Sequence, residues 1–87
     1  MPHFVYILYS KKLGKYYIGK SAKPTQRLDS HNGAFNRNWT KRGQPWQLKM
    51  LIEFENSSAA SKVEVFIKRQ KSRDFIETII ENGWRGI

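Results

Sequence analysis

Phe4-Val5-Tyr6-Ile7-Leu8-Tyr9 is an unbroken run of β-branched, aromatic and leucine side chains in a chain of 87 residues. A strand with one wet face alternates polar with apolar residues. A run without that alternation has both faces covered, so this segment belongs at the centre of a sheet with packing layers on either side. Six residues fall far short of the roughly 20 that a membrane span requires, so the expectation is a soluble, cytoplasmic protein with no membrane partner. At this length one core is all that the chain can bury, and residues 1–87 are expected to form a single domain. The absence of cysteine removes disulfides, thiolate nucleophiles and cysteine-rich zinc sites from consideration, and His3 and His31 are too few for structural zinc.

The remaining elements follow from punctuation and period. Ser10 to Lys15, with Gly14, reads as a turn, and Tyr16-Tyr17-Ile18-Gly19-Lys20 as the returning strand of a hairpin. Pro24 suits a first helical position, and a short helix runs through His31 to the stop at Asn32-Gly33. Residues 34–45 form a long basic loop with room for one helical turn, and loops of this length often touch a ligand. Leu48, Met50, Ile52 and Phe54 have the alternation of a third, half-buried strand. Ser57 or Ser58 is expected to cap the next helix, whose apolar stripe is Ala59, Ala60, Val63, Phe66 and Ile67. Ser72 interrupts, and Phe75, Ile76, Ile79 and Ile80 mark a last helix ended by Asn82-Gly83. The expected fold is α+β, a small three-stranded antiparallel sheet flanked by helices in the order ββαβαα.

Charge narrows the function. The chain carries a net charge of +9. Residues 1–52 hold ten basic residues against the single acid Asp29, whereas residues 53–87 hold six of each. A localised field of this sign attracts a polyanion, and for a chain without a lipid-binding helix the expected polyanion is nucleic acid. The basic loop contributes Arg37, Lys41 and Arg42, the second strand Lys20, and the run Lys68-Arg69-Gln70-Lys71-Ser72-Arg73 places Lys68 and Lys71 beside them as contact candidates. Half of that run is equally explained by cations favouring a helix C-terminus.

Gly14-Lys15-Tyr16-Tyr17-Ile18-Gly19-Lys20-Ser21 fits the phosphate-loop pattern G-x-x-x-x-G-K-[ST] letter for letter. Its interior, Lys-Tyr-Tyr-Ile, is strand sequence rather than a flexible cradle, and no helix begins at its lysine. No nucleotide cofactor is expected. The join Lys71-Ser72 is too short for a DNA-reading helix-turn-helix, and no signature of an RNA-recognition sheet occurs.

Val5-Tyr6-Ile7 on the first strand and Tyr17-Ile18-Gly19 on the second resemble the GIY-YIG nuclease family. The likeness continues through Arg27 and His31 on the first helix, Pro45-Trp46 at the start of the third strand, and Glu64 in the helix that ends Phe66-Ile67-Lys68. It covers nearly the whole chain and is closest to small stand-alone bacterial members. Val5 stands where the name-giving glycine would be, and Ile76 stands where many members carry an asparagine. The resemblance implies a metal-dependent endonuclease hydrolysing DNA phosphodiester bonds, with repair or recombination as its setting and Mg²⁺ or Mn²⁺ as cofactor. It implies catalytic roles for Tyr6, Tyr17, Arg27, His31 and Glu64. In that scheme Tyr17, assisted by His31, deprotonates a water, Arg27 and Tyr6 hold the phosphate, and a metal ion on Glu64 neutralises the leaving oxygen.

Read without the family, the same residues leave alternatives open. Tyr6 or Tyr17 alone is a core aromatic with a polar tip. Arg27 and His31 share one helix face beside Leu28, either as a solvated pair or with an anion between them. Glu64 lies at the border of the apolar stripe four residues before Lys68, the spacing of an ordinary helix ion pair. A single carboxylate completed by waters and substrate oxygens also suits Mg²⁺. The competing function classes are a non-catalytic nucleic-acid-binding module on the same scaffold and an assembly module of a larger repair complex.

Overall fold

The computed structural model describes residues 1–34, 36 and 38–85. Strand β1 (His3–Ser10) pairs antiparallel with β2 (Lys15–Ser21) on one side and with β3 (Trp46–Phe54) on the other. The sheet order is therefore β2-β1-β3, with the continuous apolar run at its centre. Helices α1 (Pro24–Asn32), α2 (Ser57–Gln70) and α3 (Arg73–Asn82) and a 3₁₀ turn, η1 (Trp39–Gly43), complete the ββαβαα order. Residues 15–21, all of the phosphate-loop match but Gly14, are strand throughout.

Both faces of β1 are covered, as its composition requires. Val5 and Ile7 pack with Ile18, Ile52, Ala60, Val63, Ile67 and Ile79 on the side of α2 and α3. Tyr6 and Leu8 pack on the opposite side with Trp46, Tyr17 and Leu28. The hairpin join has a residue suited to it. Gly14 closes the hairpin at φ 64°, in the left-handed region that glycine enters without steric cost.

Two local features differ from expectation. Ile7 pairs with Met50 but Leu8 pairs with Leu48, so Lys49 is an extra residue in β3. A bulge of this kind reverses the facing of everything beyond it. Met50, Ile52 and Phe54 pack on the α2–α3 core, whereas Leu48 falls on the Tyr6 side and is exposed. The cap of α2 is Asn56, not Ser57 or Ser58: its side chain accepts a hydrogen bond from the Ala59 N–H. Ser57 instead serves Lys20, whose ammonium donates to the hydroxyls of Ser57 and Ser61. No helix of the described residues is long and apolar enough to cross a membrane.

Candidate active site and nucleic-acid interface

Alternation along β1 sends Tyr6 toward α1 and η1, and register does the rest. Gly19 lies opposite Tyr6, and Tyr17 lies opposite Leu8 on the same face. The two tyrosine rings sit 6.2 Å apart at 30°. A side chain on Gly19 would collide with the Tyr6 hydroxyl and ring, so the glycine is what lets the phenol extend across β2. Burial pushes the Tyr6 phenol above its ordinary value, the Arg27 guanidinium beside it pulls down, and the charges of Tyr17 and Glu64 push up again. Arg27 and Glu64 thus both act on one hydroxyl.

His31, in the last turn of α1, is buried rather than solvated; Arg27, one turn earlier, is exposed. The imidazole Nε2 lies 3.3 Å from the Tyr6 hydroxyl and Nδ1 lies 3.0 Å from the Thr40 hydroxyl. Tyr17 meets the ring edge-on, with centroids 4.7 Å apart. Of the two tyrosines, His31 hydrogen-bonds Tyr6, where the family scheme had paired it with Tyr17. Burial, and secondarily the Arg27 charge, lowers the His31 pKa, favouring the neutral imidazole.

Glu64 projects from α2 with its side chain 16% exposed and pairs with Lys68 through Oε2 at 3.5 Å. Oε1 carries no hydrogen bond among the described residues. No group of three or more potential metal-ligating side chains occurs among them either. One hard carboxylate with a free oxygen, whose charge acts on the same Tyr6 hydroxyl as that of Arg27, fits an ion such as Mg²⁺, which keeps most of its waters and takes one or two carboxylates plus substrate phosphates.

The basic candidates separate into groups. Lys68 and Lys71 line a groove of about 510 Å³ together with Lys15, Arg73, Tyr17 and Trp39. Lys41 and Arg42 line a second groove, of about 670 Å³, with Asn36, Asn38 and again Trp39. Lys20 faces α2 instead, held by its two serines. Arg37 lies outside the described residues. Trp39 is half exposed, leaning on Tyr17 and Trp46 with centroids 5.9 Å from each. Ile76, at the family's asparagine position, packs against the core and lines the first groove.

Sequence reasoning missed Thr40, Asn36 and Trp39. They lie in the basic loop, where only charge was informative; a threonine hydroxyl carries no pattern that distinguishes a buried partner of histidine from a wet surface. The hydrogen bonds that hold the loop explain its position. Trp46 Nε1 donates to the Thr40 carbonyl, Asn32 brackets the Trp46 backbone, and Gln44 donates to the carbonyls of His31 and Gly33.

A family model described as the GIY-YIG catalytic domain matches residues 2–77. Among solved structures, the chain is similar to a UPF0213 protein of Bacillus halodurans determined in solution by NMR. The two are 27% identical with a TM-score of 0.59, over 93% of this chain and 84% of that one. No curated protein matches the chain.

Proposed function

The chain belongs to the GIY-YIG family, and from that membership we propose that it is a metal-dependent endonuclease hydrolysing DNA phosphodiester bonds, with Mg²⁺ or Mn²⁺ as its ion and DNA repair or recombination as its setting. The observation that supports this best is the convergence of Arg27, His31 and the charge of Glu64 on the Tyr6 hydroxyl. A phenol flanked by a cation and an imidazole can take a proton from a water through its minor anionic form, which the Arg27 charge favours while burial and the Glu64 charge oppose it.

In this reading Tyr6 is the base. Arg27, exposed beside it, binds a phosphate oxygen and meets the charge that grows on the transferring group. The Tyr17 hydroxyl positions a second phosphate oxygen. Glu64 would hold the divalent ion, which supplies charge neutralisation for the leaving oxygen. Lys68, Lys71, Lys41 and Arg42 contact backbone phosphates on either side of Trp39, contacts that carry no sequence information.

The test is nicking of supercoiled, branched and single-stranded DNA with and without Mg²⁺, by the wild type and by Tyr6→Phe. Metal-dependent nicking that disappears in the variant supports the proposal. Absence of cleavage by the wild type with every divalent metal and DNA form, together with retained DNA binding, assigns the chain to the non-catalytic binding modules.

A further inference from the structure

Each ring nitrogen of His31 has a hydrogen-bond partner, so in the neutral imidazole one nitrogen donates and the other accepts. Which does which decides what Tyr6 experiences, and the answer lies in two residues on the loop. Asn36 Oδ1 accepts from the Asn38 N–H at 2.7 Å, which fixes the orientation of the amide. Asn36 Nδ2 therefore faces the His31 carbonyl at 2.9 Å and the Thr40 hydroxyl at 2.8 Å, and it can only donate to both.

Thr40 is fully buried. Its hydroxyl oxygen already accepts from Asn36, and its hydrogen needs an acceptor, since a buried unmade hydrogen bond costs about 1–3 kcal/mol. Among the described residues, the acceptor within reach is His31 Nδ1, at 3.0 Å. If Nδ1 were protonated, the threonine oxygen would receive two donors and its own hydrogen would have none. With Nδ1 accepting, the ring proton resides on Nε2 and points at the Tyr6 oxygen.

We propose that Asn36 and Thr40 form a one-way donor chain, Asn36 to Thr40 to His31 to Tyr6, that holds His31 in the Nε2–H tautomer. The two loop residues are positioning residues. His31 then works as a hydrogen-bond donor to the Tyr6 oxygen and not as an acceptor of its proton. The phenolic hydrogen is left to point away from the imidazole. The significance of this chain for catalysis rests on the nuclease reading above, but the tautomer itself does not.

The measurement is long-range ¹H–¹⁵N correlation of the His31 ring at a pH where the imidazole is neutral. It is made on the wild type, Thr40→Val, Thr40→Ser and Asn36→Ala, with the backbone amide spectrum as the check on folding. The wild type should show a protonated Nε2 and a bare Nδ1. Thr40→Val, close in shape but without the hydroxyl, should lose that pure pattern and give a mixture, and Thr40→Ser should restore it. A wild type protonated at Nδ1 overturns the proposal whether or not any variant folds. So does a folded Thr40→Val with an unchanged tautomer. In parallel, DNA nicking should fall about tenfold in Thr40→Val, the scale of one lost hydrogen bond, and return in Thr40→Ser. The predicted tautomer in a protein that cleaves nothing supports the donor chain and rejects the nuclease reading.

Discussion

Gly19 stands directly across the strand pair from Tyr6, in space that the tyrosine hydroxyl and ring would have to share with any Cβ. Its backbone needs no special conformation; the requirement is one of volume. Gly19→Ala should therefore destabilise the fold by about 1–3 kcal/mol, the range for overpacking a filled site. It should also reduce nicking beyond what the stability loss explains, because the hydroxyl itself is displaced. Urea melts and nicking rates on the same preparations separate the two effects.

A buried phenol acting as base gives a characteristic pH–rate profile. Burial raises the Tyr6 pKa, so throughout the neutral range only a small fraction is phenolate, and that fraction grows tenfold per pH unit. The single-turnover rate should climb with a slope near one in log units past pH 9. Arg27→Lys should keep the slope while lowering the rate, since a point charge replaces a bidentate fork. A flat profile between pH 6 and 9 removes Tyr6 from the role of base.

Glu64 has two readings that differ in kind. As the partner of Lys68, an exposed ammonium 3.5 Å away, it is worth a few tenths of a kcal/mol. Glu64→Gln should accordingly leave thermal melting and DNA affinity nearly unchanged. As the residue that holds the metal ion, it should lose Mg²⁺-dependent nicking altogether in the same variant. Paired melting and plasmid-nicking assays at fixed Mg²⁺ check both halves, and full activity in the variant leaves only the ion pair.

His31 links stability to pH. Its folded pKa lies below the ordinary 6.5, chiefly through burial. Between those two values the unfolded chain binds more protons than the native one, so stability falls as pH drops through that window and levels off below the folded value. Protonation of Nδ1 would also remove the acceptor for Thr40. Urea midpoints from pH 7.5 to 5 should decline in the wild type and decline less in His31→Gln.

Nucleic-acid affinity should be set by phosphate contacts. Lys41→Ala combined with Arg42→Ala should weaken binding alike on unrelated duplexes and make the dependence of affinity on salt less steep by up to about two phosphates' worth. Titrations at several salt concentrations measure this directly; an affinity indifferent to salt contradicts it.

The fold was legible where side-chain period and covered faces are the same thing. The run from Phe4 to Tyr9 has no polar position, and its strand is central with helices on one side and α1 and η1 on the other. Alternation failed at Leu48 because one inserted residue, Lys49, inverts the pattern, and an extra residue leaves no trace in composition. Tyr6, Tyr17 and His31 were singled out through the family resemblance, and the structure brings them together. The partner of His31 was not legible, because helix spacing places a ring on a face without choosing between two tyrosines on neighbouring strands. Lys20 illustrates the limit of charge counting: its ammonium serves two helix serines. The cap at Asn56 shows a smaller version, in which three adjacent residues all have capping side chains and backbone geometry selects among them.

The extra residue in β3 also bears on what the molecule avoids. β3 is an outer strand of the sheet, with Leu48 and Leu51 exposed along it. A regular strand of that kind is a template on which a second chain can extend the sheet, the first step of aggregation. Lys49 breaks the even spacing midway, and its ammonium, 6.0 Å from the centre of the Tyr9 ring, puts a charge at the break. The irregularity that hid the strand's facing from sequence reading is thus of the kind that blunts an edge strand against pairing with a second chain.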